Sequence, residues 1–424
     1  MSATTESATT ELIEQDSISL KDRLAKATKV QKRRALLLTM PLVIFLLVSF
    51  VMPIGQMLWR SVHNPTVSNV IPNFAIAIQQ WDGKNLPPES VFEIFVKDLV
   101  TAKKNREIGK TVGNLATRIN YDIPGSRSLF TSTARKAKKL KAPFKESLLK
   151  LNKKWNNPSL WLSLKRNSKD ITPAFYLAAM DLKYDKHGNI VEADELYQIY
   201  MSNFIKTIKL SAIITAICIF LAYPIAYVLS ILPLRQSNLL MICVLLPFWT
   251  SLLVRTTAWI AILQTQGIVN DILVFLGFLS DDGRVQMIYN QTGTIIAMVH
   301  ILLPFMVLPL YSVMKTISPT YMKAALSMGA RKSYALRKIY LPLTIPGLGA
   351  GTLLVFILAI GYYITPALVG GEDGLLISNL IAYHIQKSLN WSLGAALGAI
   401  LLVTVLVLYW LYNKIIGIDN LKFG

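Results

Sequence analysis

Apolar residues in this chain fall into long runs set apart by charged stretches. Ala35–Leu58 holds 24 residues without a charge, Leu210–Leu234 holds 25, Gly293–Met314 22, Leu343–Val369 27 and Leu393–Tyr412 20. A sixth run, Leu239–Leu263, is interrupted only by Arg255. A helix crosses the hydrocarbon core of a bilayer with about 20 apolar residues. The pattern therefore predicts six transmembrane helices. A polar tail of 34 residues precedes the first run, which is too long for a signal-peptide core and reads as a retained helix. Between Ser61 and Lys206 no run is long enough to span.

Composition agrees. Of 424 residues 53% are hydrophobic and 16% charged, whereas soluble domains are about a quarter charged. The two cysteines, Cys218 and Cys243, lie in apolar runs and support neither a disulfide framework nor a metal site. Buried thiols are expected there. The net charge of +20 would point to nucleic acid in a soluble chain. Here membrane topology accounts for much of it, and no nucleic-acid partner is expected.

Lys and Arg in short loops mark the cytoplasmic side. With the N-terminus inside, the cytoplasmic tails and short loops carry 16 basic residues and the opposite short loops two, Arg284 and Lys387. The expected organisation is a cytoplasmic tail over residues 1–34, a first helix over 35–58, an extracytoplasmic insertion over 59–203, a membrane core over 204–412 and a cytoplasmic tail over 413–424. The insertion is basic, but long loops translocate largely regardless of charge. Val91, Phe92, Phe95, Val96 and Leu99 fall at helical spacing within it. It is expected to be a small, mostly helical domain with a Lys-rich helical stretch over Arg135–Lys154. Those lysines suit a solvated surface, or contact with anionic headgroups or an acidic partner. Residues 1–20 read as disordered, and Leu20–Arg34 as a short basic amphipathic helix.

Catalytic chemistry is not legible. His63, His187, His300 and His384 lack metal spacing. His300 lies in an apolar run, where a packed or hydrogen-bonded role outweighs a proton relay. Gly109-Lys110-Thr111 looks like the end of a phosphate loop, but Lys104 stands where its first glycine belongs and no apolar strand precedes it. No cofactor or metal is expected.

The loop between the fourth and fifth runs is different. Ser318 and Pro319 suit a helix start, Tyr321–Met328 a short helix with Ala324 and Ala325 on a small-residue face, and Gly329 its end. A second helical piece leads to Pro342. Ala324-Ala325, then Gly329, then nine residues, then Ile339-Tyr340-Leu341-Pro342 resembles the signature of permease subunits of bacterial binding-protein-dependent ABC importers. Lys323 stands where that family usually has Glu. Arg255-Thr-Thr-Ala-Trp259, Gly267-Ile-Val-Asn270, Leu303–Tyr311 and Tyr363–Gly371 are similar to the spermidine/putrescine permeases within it.

The resemblance implies the type I importer permease fold in the bacterial inner membrane, with no catalysis in this chain. It implies a cytoplasmic ABC ATPase dimer, a second permease subunit and an extracytoplasmic solute-binding protein as partners in the bilayer. Lys323, Ala324, Ala325, Gly329, Ile339, Leu341 and Pro342 would form the ATPase-coupling loop, and ATP-driven closure would rock the helices between inward- and outward-facing states. For a polycationic cargo, Trp249, Trp259, Tyr362 and Tyr363 could line a pathway and Asp271, Glu372 and Asp373 its outer mouth. Related permeases carry ferric iron, sulfate, phosphonates or opines, and these cargoes stay open. A membrane scaffold is the reading from another class.

Overall fold

The computed structural model describes residues 25, 27–107, 109–185 and 188–416; the stretch expected to be disordered, His187 and Lys422 lie outside the described residues. Among the described residues six helices are long and apolar enough to cross a membrane. The first, α1 (Ala27–Val62), forms most of a unit of its own ending at Trp59. It carries a π turn at Leu47–Val51, one residue before Pro53. Proline lacks an N–H and crowds the carbonyl one turn back. A wider turn relieves both problems.

The insertion is mostly helical, as expected. Its elements include α2 (Glu89–Ala102), α3 (Val112–Asp122), α4 (Arg127–Lys136), α5 (Pro158–Asn167) and α6 (Ala174–Ala179). A small antiparallel pair, β1 (Leu182–Tyr184) and β2 (Ile190–Glu192), follows. The predicted apolar face of α2 is buried from Val91 to Leu99. Phe95 sits at its centre, with ring centroids 5.1 Å from both Phe74 and Trp155 and 5.3 Å from Trp161. Both buried indoles find acceptors: Trp155 Nε1 donates to Thr133 Oγ1 at 3.1 Å and Trp161 Nε1 to the Trp155 carbonyl at 2.9 Å. Arg135–Lys154 is not one helix. α4 stops at Lys136, a 3₁₀ turn covers Ala137–Lys139, and a new helix begins at Phe144 after Pro143. Thr111 caps α3, its hydroxyl accepting the Asn114 N–H at 3.3 Å, so the phosphate-loop lookalike is a helix start.

The chain enters and leaves this helical body through a narrow neck. His63 pairs with Ile171 as an antiparallel bridge, Asn64 N–H donates to the Asp170 carbonyl at 2.7 Å, and Thr172 N–H to the Val62 carbonyl at 2.8 Å. Beyond the neck the chain is tied to the membrane core. Asp181 accepts from the backbone N–H groups of Tyr200 and Met201 at 3.0 and 2.7 Å. Those N–H groups open α7 (Tyr200–Ile231), where a carboxylate suits the helix dipole.

The membrane core continues with α8 (Leu234–Leu245), α9 (Leu252–Leu263), α10 (Ile268–Phe275), α11 (Gln291–Thr316), α12 (Pro319–Ser327), α13 (Lys332–Gly361), α14 (Ile364–Val369), α15 (Ile377–Gln386) and α16 (Trp391–Ile416). α7, α11 and α13 pack on one another. Ile214, Cys218, Ala222 and Ala226 recur every four residues on the buried face of α7. On α13, a Cβ at Gly351 would lie 2.7 Å from Met306 Sδ, and one at Gly347 2.8 Å from Val313 Cβ. Small residues at these positions let the helices approach closely, the usual way helices associate in lipid. Cys243, expected to be buried like Cys218, is exposed.

Two predicted runs are broken. Leu239–Leu263 is not one span: α8 ends in a 3₁₀ turn, Leu246–Trp249, built around Pro247, and α9 starts afresh after Ser251. The third candidate span is instead Leu252–Phe275. Leu343–Val369 parts at Tyr362–Tyr363, between α13 and α14. The carbonyls freed there are satisfied: Ser378 Oγ donates to Tyr362 O at 2.6 Å and Asn379 Nδ2 to Tyr363 O at 2.7 Å. Broken backbone survives at membrane depth only where such partners exist.

Candidate coupling loop and substrate pathway

α12 starts as the sequence predicts. Ser318 caps it, its hydroxyl accepting the Thr320 N–H at 3.3 Å, and Pro319 fills the first turn. Its end is a Schellman turn: Ala330 N–H donates to the Ala325 carbonyl at 3.1 Å, Gly329 N–H to the Leu326 carbonyl at 3.0 Å, and Gly329 has φ +86°. Lys323 and Ala324 are exposed, while Ala325 is 1% exposed. The small-residue face read from the sequence is therefore split. Ala324 faces outward and Ala325 is buried against its own chain, where α12 packs on the segment that follows.

That segment is a π turn, Leu336–Tyr340, at the start of the long helix α13. Ile339 is half-buried, and Leu341 and Pro342 are exposed. The residue that ties the loop to the core is Tyr340, which motif spacing passes over as filler. It is 7% exposed, stands edge-on to Tyr227 of α7 at 5.4 Å, and its hydroxyl lies 3.5 Å from Ser230 Oγ. Lys315 adds a second tie, its Nζ donating to the Ser230 carbonyl at 3.1 Å. Tyr223 and Thr344 hydroxyls meet at 3.3 Å one turn further in. A push on α12 thus has a packed route into both α7 and α13. An aromatic side chain between two small-residue helices was the available signal.

Of the expected pathway residues, Trp259 pairs with His300 of α11, while Tyr362 packs in a separate cluster with α7 and α11. Trp259 Nε1 donates to His300 Nδ1 at 3.2 Å, the hydrogen-bonded histidine role expected from sequence. Arg255 lies one turn before Trp259 on α9. Its Nε and Nη1 are buried without a hydrogen-bond partner among the described residues. Trp249 is 70% exposed and Tyr363 40% exposed. At the proposed mouth, Asp271 is held by Arg284 at 2.7 Å, and Arg284 also holds Asp281 at 2.9 Å. Glu372 and Asp373 are exposed on the turn after α14, with Lys206 within electrostatic reach of Asp373. Arg255 and His300 were readable as ionisable residues inside apolar runs. The pairing of Trp259 with His300 depends on which helix faces meet.

Comparison with known proteins gives this arrangement its context. Residues 209–416 match the family described as binding-protein-dependent transport system inner membrane component. The spermidine/putrescine transport system permease protein PotB of Escherichia coli is 34% identical over 222 residues, covering 52% of this chain and 80% of that protein. The inner membrane ABC transporter permease protein YdcU of Escherichia coli is 29% identical, covering 50% of this chain and 71% of its own length. A solved bacterial ABC transporter involved in alginate import is 17% identical, with a TM-score of 0.43 over 52% of this chain and 80% of that one. Neither the loop geometry nor the family match involves catalytic chemistry in the chain. The chain belongs to the inner membrane components of binding-protein-dependent transport systems, as a non-catalytic, multi-pass permease subunit of an ABC importer.

Proposed function

We propose that this chain is one permease of an importer that moves spermidine and putrescine inward, driven by a cytoplasmic ATPase pair. The observation that carries the coupling is α12: a short capped helix with Lys323 and Ala324 facing outward, braced from behind by Tyr340. A rigid, exposed helix fixed to two core helices transmits a displacement, because packed elements switch between discrete arrangements instead of deforming. In this reading α12 and both chain ends face the cytoplasm, the insertion over 59–203 lies outside, and residues 204–412 form the permease core. A second permease completes the pathway, and a solute-binding protein delivers cargo. ATP closure on α12 rocks α7 and α13, and the helix breaks at Trp249 and Tyr362 lie where the pathway opens.

The polyamine assignment rests on the 34% identity to PotB. Trp259, Tyr362 and the exposed Glu372 and Asp373 offer the aromatic faces and carboxylates a polycation needs. Uptake of labelled spermidine and putrescine, in cells with and without this chain, tests it. Loss of uptake on deletion supports the reading. Unchanged polyamine uptake, with loss of an anionic solute instead, transfers the chain to another cargo.

A further inference from the structure

A cavity of about 240 Å³ opens between the end of α5 and β1, beside the neck. Lys165, Arg166 and Lys169 line it from the end of α5, Tyr184 from β1, and residues 171–174 from the neck. Its volume is several times the ~30 Å³ that one water takes up in the liquid, so it admits a small organic molecule. A second cavity in the insertion, of the same volume and beside Ser126, has Lys154 as the sole ionisable residue among its described lining. The three cations are thus particular to the first cavity and not a sample of a basic surface.

Charge in this cavity is unbalanced. Asp122 is the one acid among its described lining residues, and its carboxylate is already engaged. Arg118 Nη1 donates to Oδ1 at 2.9 Å, and Ser163 Oγ and Asn167 Nδ2 donate to Oδ2 at 2.8 and 2.6 Å. Asp185 lies within electrostatic reach of Arg166, but its two oxygens accept from Asn189 at 2.8 and 3.3 Å. The Arg166 guanidinium stacks over the Tyr184 ring at 4.7 Å. Stacking occupies its face and leaves the N–H groups on its edges for a planar or tetrahedral acceptor. Among the described residues those donors meet no acceptor, and the exposed Lys169 forms no ion pair. Lys165 gives one N–H to the Trp81 carbonyl, and an ammonium has three. Cations suit the C-terminal end of a helix, yet neither Arg166 nor Lys169 bonds to a carbonyl of α5 among the described residues.

We infer that this cavity binds a small organic phosphate monoester. The N–H fork of Arg166 matches two phosphate oxygens, and Lys165 and Lys169 add point charges against a dianion. Leu162 and Pro173 supply an apolar side for the organic group. A bound ester bridges α5 of the helical body to Tyr184, on the chain's return to the membrane core. The cavity lies outside residues 209–416 that match the permease family, and the inference holds whatever cargo the core carries.

The test is isothermal titration of glycerol 3-phosphate into the full chain in phosphatidylcholine nanodiscs. Saturable binding is expected. Arg166→Gln and Lys169→Gln should each weaken it by about tenfold, the worth of a charge-assisted hydrogen bond. Arg166→Lys should fall between wild type and Arg166→Gln, since it keeps the charge and loses the fork. Lys169 is exposed, so Lys169→Gln should keep the wild-type melting temperature, which separates lost binding from lost folding. The same chemistry is offered by a soluble ester and by the headgroup of phosphatidic acid. Competition when phosphatidic acid is added to the nanodisc assigns the site to the headgroup, and unchanged titration assigns it to the soluble ester. Absence of saturable binding, with no effect of phosphatidic acid on the melting temperature, overturns the inference. So does unchanged affinity in both glutamine variants. Succinate binding as tightly as glycerol 3-phosphate overturns the phosphate assignment.

Discussion

Gly329 and Ala325 lie in one turn, yet they call for different experiments. Nothing lies within 4 Å of a Cβ added at Gly329, so its requirement is the backbone's alone, φ +86°. A β-branched residue there costs about 1–3 kcal/mol of local strain, while Asn tolerates the conformation. Gly329→Val should uncouple transport from ATP hydrolysis, and Gly329→Asn should retain most of it, measured as substrate-stimulated ATPase in proteoliposomes. Ala325 is buried, so Ala325→Glu should lower the yield of folded protein before any docking effect is read. Ala324→Glu, exposed, is the clean probe: normal insertion with loss of ATPase co-purification. His384 makes a pH prediction. Its Nε2 pairs with the Tyr200 hydroxyl at 2.9 Å and its Nδ1 with Ser388 Oγ at 3.0 Å, and burial holds its pKa below the ordinary 6.5. Below about pH 6.5 the unfolded imidazole takes a proton that the folded one resists. Its stabilising contribution is therefore full above that pH and falls as pH drops through the folded value. Thermal melts at pH 7.5 and 5 should show this acid loss, and His384→Gln should flatten it.

At the scale of elements, the π turn Leu336–Tyr340 lies where the segment after α12 enters a candidate span. Such turns are uncommon and frequently mark functional positions. Removing the Tyr340 ring opens a cavity against Tyr227, at a cost of about 3–5 kcal/mol for a large buried side chain. Tyr340→Ala should lose uptake, whereas Tyr340→Phe keeps the packing and should keep most of it. Comparable uptake for both variants would remove Tyr340 from the coupling route. The neck at His63–Ile171 defines the insertion as an element that can be excised. Replacing residues 64–170 with a short Gly-Ser linker should leave an inserted permease that still co-purifies with the ATPase. Excising 82–183 should not, because it leaves Phe74 and Ile78 without their core and removes Asp181 from the start of α7.

At the scale of the whole molecule, orientation is the quantity to measure. The split of 16 basic residues to two across the tails and short loops sets the expectation. A cysteine at position 139 should react with an impermeant thiol reagent in intact spheroplasts, and one at position 332 only after lysis. The reverse pattern would invert the topology and place α12 out of reach of any ATPase.

Much of this protein was legible in its order of residues. Run lengths near 20 apolar residues follow from bilayer thickness, so the six-span count survived even though two runs were divided differently. The helix at Pro319–Ser327 and the turn at Gly329 follow from local capping chemistry, which needs no tertiary context. The aromatic face of α2 was visible for the same reason, as a helical period. What the sequence left open was decided by contacts between distant segments. Tyr362–Tyr363 breaks an apolar run whose hydropathy is unbroken, since a break at membrane depth needs hydrogen-bond partners such as Ser378 and Asn379 to receive it. Burial of Ala325 but not Ala324 depends on where the next segment folds back. The meeting of Trp259 with His300 depends on which faces of α9 and α11 turn together. Hydrophobic period fixes that a helix forms and that it enters the membrane; only close packing between helices selects the side chains that meet.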